Sequence, residues 1–423
     1  MRIVEMNRKE FDDYAINHKY RSFYQTSQYG TLMSKHGYEA MYLGLEDNGR
    51  INAAALILIK SSLVGLKYAY SPRGFLIDFN DDNLLYEFTE ALKTFLYNLK
   101  VLFLTIDPHV THLSRNKDGK PIDGENFGVN ISENLKRMGY EHRGFNLYFE
   151  NFKPRWNMVL KSEESPASIF SSFEKQTRTK IRNAMRKGIE VYKGTKDDIK
   201  LFYRMIEKKH YRKLDYYLDM YDIFGRFDMF DVYFARINTE VFLKNSRLLY
   251  EHEIQRNSDL SNKLQKHIKS QKEKNTLLNQ KMESDKLLSS YKEEIIYGTN
   301  LYKNEKYIII ASNAVIKYGT EVFFLIDGIN FKFKKFNAND LMKWKIIEEY
   351  RNKGYTKFHF NGITGDFTKK NKFLGLYSFK KGFNANVTEY IGEYNLIINK
   401  PKYFFYKKLE PLLNTFDPSN KNK

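Results

Sequence analysis

Cysteine is absent from the 423 residues, which excludes a disulfide framework, thiolate zinc sites and a cysteine nucleophile. A reducing compartment fits, and the cytoplasm is the default. Proline is scarce, at 8 residues, and tryptophan scarcer, at 2. Long apolar runs are missing too: the longest strictly apolar stretch, Ala53 to Ile59, falls far short of the ~20 residues that cross a bilayer. The N-terminus MRIVEMNRKEF has no signal-peptide core. Acidic residues are the last shortage. Asp and Glu number 51 against 70 Lys and Arg, a formal charge of +19. A chain with that balance favours polyanions: nucleic acid, phosphorylated substrates or an anionic membrane surface.

What is present builds a core. Hydrophobic residues make up 42% and aromatics 16%, well above disordered composition. The length allows two or three compact units at about 150 residues each. Met41 to Leu45, Ala53 to Ile59 and Leu99 to Ile106 read as strands, and Asn83 to Asn98 as a helix, so the class is α/β or α+β. Leu84, Leu85, Phe88, Leu92 and Phe95 line one face of that helix, and VLFLTI then Asp107-Pro108 follow it. Asn339 to Gly362 repeats the order: a helix with Leu341, Trp344, Ile347 and Tyr350, then Gly354-Tyr355, then TKFHF. Another helix-to-GY junction at Leu135 to Tyr140 precedes a strand-like GFNLYF. Two similar domains are expected.

Between Arg226 and Tyr297 there is neither Gly nor Pro. Leu260, Leu264 and Ile268, then Leu288, Tyr291 and Ile295, give two short seams separated by polar SQKEKN, which predicts an antiparallel helical hairpin over about 239–296. One continuous coiled coil that dimerises the chain is the rival reading. The arm carries eleven Lys and Arg against nine Asp and Glu, so the excess positive charge lies on the globular part.

The densest basic segment is EKQTRTKIRNAMRKG. On a helix, Arg178, Arg182 and Arg186 stand one turn apart as a positive ridge joined by Lys180, with Phe173, Thr177, Ile181 and Ala184 facing inward. Such a ridge neutralises successive phosphates, and a solvated helix face is the plain alternative. Asp107 at a strand end sits where α/β folds bind ligands and is able to orient or deprotonate an amine, although Asp before Pro is also an ordinary turn starter. In FNGITGDF, Gly362 and Gly365 after a strand permit close backbone approach to a ligand. His109 and His112 form the only close histidine pair that suggests a metal, and a solvent-exposed loop explains them better. No Walker A loop is present. RNKGYT around Gly354 lies between a helix and the following strand, the wrong context for a coenzyme A pyrophosphate loop.

YSPRGF (Tyr70 to Phe75), TIDP (Thr105 to Pro108), TRTKIRNAMRKG, LYSFKKGF and the late EYIGEYNLIINKPKYFFY, in this order and spacing across essentially the whole chain, resemble the FemABX family of non-ribosomal peptidyltransferases. The resemblance implies two GNAT-like acyltransferase domains with an inserted antiparallel coiled-coil arm. Domain 1 would take residues 1–150, domain 2 residues 151–238 and 297–391 around the arm at 239–296, and residues 392–423 would return to domain 1. It implies an aminoacyl-tRNA donor, no cofactor, and transfer onto the stem peptide of a lipid-linked or nucleotide-linked peptidoglycan precursor, with peripheral membrane contact and pairing with itself or paralogues as accompanying expectations. Carried over by position, Lys35 and Arg212 match residues that hold the precursor's phosphates, and Tyr216 a nearby contact. Arg73 of YSPRGF goes with the substrate, Asp107 lies near the acceptor amine, and Phe379 and Lys380 flank the reacting carbonyl. Two departures stand out: FFLID from Phe323 to Asp327 where relatives have YYLYG, and Asn361 where they have Gly. The ester of a charged tRNA is already activated, so the enzyme must align an amine and stabilise a developing oxyanion, a contribution of roughly 3–4 kcal/mol for one fixed donor such as Lys380. A transferase that tags protein N-termini and a non-enzymatic RNA-binding coiled-coil protein are the other readings.

Overall fold

The computed structural model describes residues 1–62, 65–122, 127–149, 152–208, 212–266 and 270–416. In chain order the strands are β1 (Arg2–Glu5), β2 (Glu39–Asp47), β3 (Arg50–Ser61), β4 (Lys67–Ser71), β5 (Val101–Ile106), β6 (Thr111–Ser114) and β7 (Tyr140–His142). There follow β8 (Trp156–Lys161), β9 (Ile189–Lys193), β10 (Phe230–Asn238), β11 (Tyr307–Tyr318), β12 (Glu321–Ile329), β13 (Lys357–Ile363), β14 (Asn386–Tyr390) and β15 (Tyr394–Ile397). They form two sheets, ordered β1-β2-β3-β4-β5-β15-β7 and β6-β14-β8-β13-β12-β11-β10-β9.

The two sheets share one plan. In each, an antiparallel meander ends in a strand that pairs in parallel with the next: β4 with β5, and β12 with β13. A parallel pair needs a crossover, supplied by the helices Asp82–Asn98 and Ala338–Asn352. The helix-then-strand segments singled out in the sequence therefore occupy the same place in each lobe. The lobes also trade strands. β15, from the C-terminal segment, enters the first sheet between β5 and β7, while β6, from within residues 1–150, closes the second sheet on β14.

The apolar run of β3 is explained by burial on both faces. Ala53, Ala55, Ile57 and Ile59 enter the first lobe's core, and Ala54, Leu56 and Leu58 enter a third core between the lobes with Leu32, Met33, Phe202, Val232 and Ile316. At about 1.5–3 kcal/mol for each fully buried large side chain, this shared core fixes the lobes against each other.

Helices Thr239–Gln265 and Gln271–Asn304 pack antiparallel: Thr239 bonds the carbonyls of Glu305 and Lys306, and Asn257 reaches Ser284 and Asp285 midway. Leu260 is buried in the seam, whereas Ile268 lies outside the described residues. The second helix continues past the expected end near residue 296, because Gly298 lets it lie against Phe242, 3.2 Å from where a Cβ would stand. GFNLYF is not a strand. It crosses to the second lobe, where the Leu147 carbonyl accepts the Gly365 N–H at 2.6 Å and the Asn146 carbonyl accepts the Trp156 indole at 2.9 Å.

Candidate active site

Where β4 and β5 end together, Ser71 opposite Ile106, the next residues converge on one carboxylate. Asp107 is 1% exposed. Its Oδ1 accepts the Tyr70 hydroxyl at 3.1 Å and the Arg73 N–H at 2.7 Å, and the Arg73 guanidinium stands 3.8 Å from Oδ2. Oδ2 itself is buried without a hydrogen bond among the described residues. Burial pushes the carboxyl above its ordinary range, and Arg73 opposes that shift. Arg73 is itself buried, donating to the Pro154 carbonyl at 2.8 Å with its guanidinium 4.5 Å from the centre of the Tyr390 ring.

A cleft between the lobes opens beside Arg73, lined also by Tyr24, Lys153, Phe323, His359 and Asn361. Lys153 is half-buried, with its ammonium 4.1 Å from the Tyr24 ring centre. Burial pushes its pKa down to about 8, with Asp107 pulling it back up and Arg73 and Arg212 adding to the fall. Nothing in the sequence marked this lysine, which sits alone before Pro154 outside any periodic pattern.

Further along, helix Ser27–Lys35 is capped by the Thr26 hydroxyl, an interaction typically worth ~1 kcal/mol. Its last residue, Lys35, bonds Asp219 at 2.6 Å on helix Leu214–Gly225, and His36 meets the same carboxylate at 3.1 Å. Tyr216, on that second helix, lies edge-on to His36, and the Arg212 guanidinium rests 4.7 Å from the Tyr216 ring centre. The structure thus gathers Lys35, Arg212 and Tyr216 in one group and Arg73 with Asp107 in another. Lys153 links them, because it feels Arg212, Arg73 and Asp107.

Lys380 occupies a different layer. It is buried on helix Leu374–Lys381, donates to the Gly362 carbonyl at 2.6 Å, and burial lowers its pKa to about 7. It lies behind the β13 wall of the cleft. Gly362 in turn packs on Pro154, where a Cβ would meet the proline ring at 2.5 Å, and Gly365 packs on Trp156 at 2.3 Å. These glycines do permit close approach, but the partner is Pro154 and Trp156, so the expected space for a ligand is taken by the protein. Phe379 faces a separate cavity of about 300 Å³ in the second lobe, with Lys180 and Asp340. Burial pushes Asp340 up to about 6. Of the two departures, Asp327 pairs with buried Lys343 at 2.7 Å, and Asn361 adopts a left-handed backbone (φ 67°) with its amide on the Leu325 carbonyl.

Of the four residues expected inward, Thr177, Ile181 and Ala184 are buried on the basic helix Lys175–Arg186, and Phe173 is buried just before it, where it ends helix Pro166–Ser172. Its ridge is only partly free for phosphates. Arg178 caps the preceding helix through the Ser171 and Phe173 carbonyls, Arg182 is exposed beside the Phe170 ring, and Arg186 is exposed and bonds Asn183. Lys180 turns toward the second-lobe cavity. The histidine pair is no solvent-exposed loop: His109 bonds the Tyr390 hydroxyl and meets the Arg21 carbonyl, each at 3.0 Å, and His112 stacks on Phe145.

Comparison with known proteins assigns this geometry to a lineage. The FemAB family model matches residues 6–410. The chain belongs to the FemAB family. It is 27% identical to the aminoacyltransferase FemB of Staphylococcus epidermidis, over 98% of this chain and 99% of that one. It is 25% identical to the aminoacyltransferase FemA of Staphylococcus aureus, over 97% and 98%. Among solved structures, that of FemX superposes with a TM-score of 0.74 at 20% identity, covering 96% of this chain and 99% of its own, which establishes the shared α/β fold. Among the described residues, no helix is long and apolar enough to cross a membrane.

Proposed function

We propose that the chain is an aminoacyltransferase that moves an amino acid from aminoacyl-tRNA to an amine on the stem peptide of a peptidoglycan precursor, building the interpeptide bridge. FemAB membership over residues 6–410 and the aminoacyltransferase names of its relatives support the reaction class. The observation that carries the site is a row of cations, Lys35, Arg212, Lys153 and Arg73, beside a buried carboxylate with one oxygen that has no hydrogen bond among the described residues.

In this reading Lys35 and Arg212 hold the precursor's phosphates, Tyr216 supports Arg212, and the stem peptide runs past Lys153 toward Asp107. The incoming ammonium donates to Asp107 Oδ2, because Tyr70 and the Arg73 N–H already occupy Oδ1. A carboxyl raised by burial is a better proton acceptor than an ordinary aspartate. The freed amine attacks the ester carbonyl. The C–N bond forms, the C–O bond to the ribose breaks, the ribose oxygen takes up the second proton lost by the nitrogen, and the first leaves Asp107 for water. Lys380 acts as a positioning residue: through Gly362 it sets the strand that packs on Pro154, whose carbonyl anchors Arg73. Phe379 and Lys180 belong to the donor side, and Arg182 and Arg186 offer charge to the RNA backbone. With a lipid-linked acceptor the protein works against the membrane surface.

The test supplies purified protein with mixed charged tRNA and either a lipid-linked or a nucleotide-linked precursor. RNase-sensitive transfer of radiolabelled amino acid is expected. No transfer to either precursor removes the proposal, and transfer to a model polypeptide instead reassigns the acceptor.

A further inference from the structure

The crossing from β7 to the second lobe holds large apolar side chains out to water. Phe145, Leu147, Tyr148, Phe149 and Phe152 are each between 40% and 52% exposed. The backbone beneath them is pinned, because the Leu147 carbonyl accepts the Gly365 N–H and the Asn146 carbonyl accepts the Trp156 indole. Toward the second lobe, Phe149 meets Phe373 edge-on with ring centres 5.5 Å apart, and exposed Leu376 follows on helix Leu374–Lys381. Toward the first, Phe152 stacks at 4.2 Å on Tyr70, whose hydroxyl bonds Asp107. The patch therefore runs from the second lobe to the Asp107 cluster. Its border is positive. Across the described residues of 143–153 and 366–376, exposed Lys369, Lys370 and Lys372 are joined by Arg143 and Lys153 against Asp366 alone. The Lys372 ammonium stands 5.4 Å from the centre of the Phe373 ring, so charge and apolar surface adjoin. Soluble proteins rarely leave so continuous an apolar patch uncovered.

We propose that this surface docks on an anionic lipid bilayer, with Leu147, Tyr148 and Leu376 entering the headgroup boundary and Lys369, Lys370 and Lys372 meeting lipid phosphates. Leucine and aromatic side chains partition into that boundary, and lysines beside them add attraction to anionic headgroups. A bilayer satisfies both halves of the patch at once, since apolar depth and negative charge adjoin everywhere on it. No helix among the described residues is long and apolar enough to cross, so the contact is with the interface. The docking stands on exposure and charge. Only its purpose rests on the proposed function: a bilayer at Phe152 brings the Tyr70 and Asp107 cluster to the surface where a lipid-linked acceptor lies.

Co-sedimentation of the full-length protein with vesicles of mixed phosphatidylglycerol and phosphatidylcholine, and of phosphatidylcholine alone, tests the surface. Binding to the anionic vesicles is expected, at least about tenfold tighter than to the neutral ones. Leu147→Ser with Tyr148→Ser should weaken it at least about tenfold, and so should Lys369→Glu with Lys370→Glu. Thermal midpoints confirm that the variants fold. Phe404→Ser with Phe405→Ser removes another exposed aromatic pair, on helix Lys400–Phe416, which follows β15 at the end of β5 away from Asp107, and should leave binding unchanged. Overturning results are no binding to anionic vesicles, equal binding to neutral ones, indifference to the Leu147 and Tyr148 or the lysine variants, or loss of binding in the Phe404 and Phe405 variant. A concentration-dependent dimer that Leu147→Ser with Tyr148→Ser dissociates also overturns the proposal, because the patch then belongs to a second copy of the chain. Failed vesicle binding beside intact transfer to a nucleotide-linked precursor removes this inference alone, whereas vesicle binding without transfer to either precursor removes the proposed function alone.

Discussion

The two parallel strand pairs end in opposite chemistry. In the first lobe, β4 and β5 stay paired to Ser71 and Ile106, and beyond them lies a buried acid with one oxygen that has no hydrogen bond among the described residues. In the second, β12 and β13 pair only from Glu321 to Phe323 against Lys357 to His359 and then part. The gap is filled by the protein's own groups: Asn361 on the Leu325 carbonyl, Lys380 on the Gly362 carbonyl, and Lys343 on Asp327. One topology therefore ends at the proposed reactive carboxylate in one lobe and at a braced wall in the other.

The sharpest way to break this contrast is to strip the acid of its cation. Arg73→Ala leaves Asp107 buried and unpaired, and should lower stability by about 3–5 kcal/mol in urea unfolding while abolishing transfer. Asp107→Asn keeps the shape but leaves the buried Arg73 guanidinium without its carboxylate. It should fold with reduced stability and slow transfer about 10²-fold or more in single-turnover assays, with loss of the acid limb of the pH profile. That limb should lie above the ordinary carboxylate range in the native enzyme, because burial raises Asp107. On the wall side, Lys380→Met should cut kcat about tenfold, one decade being about 1.4 kcal/mol of barrier, with RNA affinity unchanged.

The same lysine gives a stability signature. Its pKa is about 7 when folded and near its ordinary value when unfolded, so between those values the unfolded chain binds more protons and stability rises with pH. Lys380→Met should flatten that rise in unfolding measured across pH 7–10. The smallest effect is expected from Arg182→Ser with Arg186→Ser: transfer falls only a few-fold, and the salt slope of RNA binding drops by about one unit per lost contact.

Much of this fold was legible in the sequence. The helix Asp82–Asn98 and β5 follow from a single apolar face and a doubly buried run, and the hairpin from two seams without Gly or Pro. GFNLYF misled because apolar alternation also suits a connection whose backbone bonds are made to another lobe. In the site, Asp107 was visible as a strand end, and Lys35, Arg212 and Tyr216 through family position. Lys153 was invisible, since its importance arises only when β4, β5 and the crossing loop meet. The glycine loop misread for a related reason: spacing reveals that something comes close, and only packing reveals that it is Pro154 and Trp156.

The exchange of strands bears on how the molecule is made. The first sheet waits for β15, at Tyr394–Ile397, to fill the seam between β5 and β7. A chain that grows from its amino terminus therefore carries an open, hydrogen-bonding slot in its first lobe until residues 394–397 have been made. A truncation before Tyr394 accordingly damages the lobe built from the beginning of the chain.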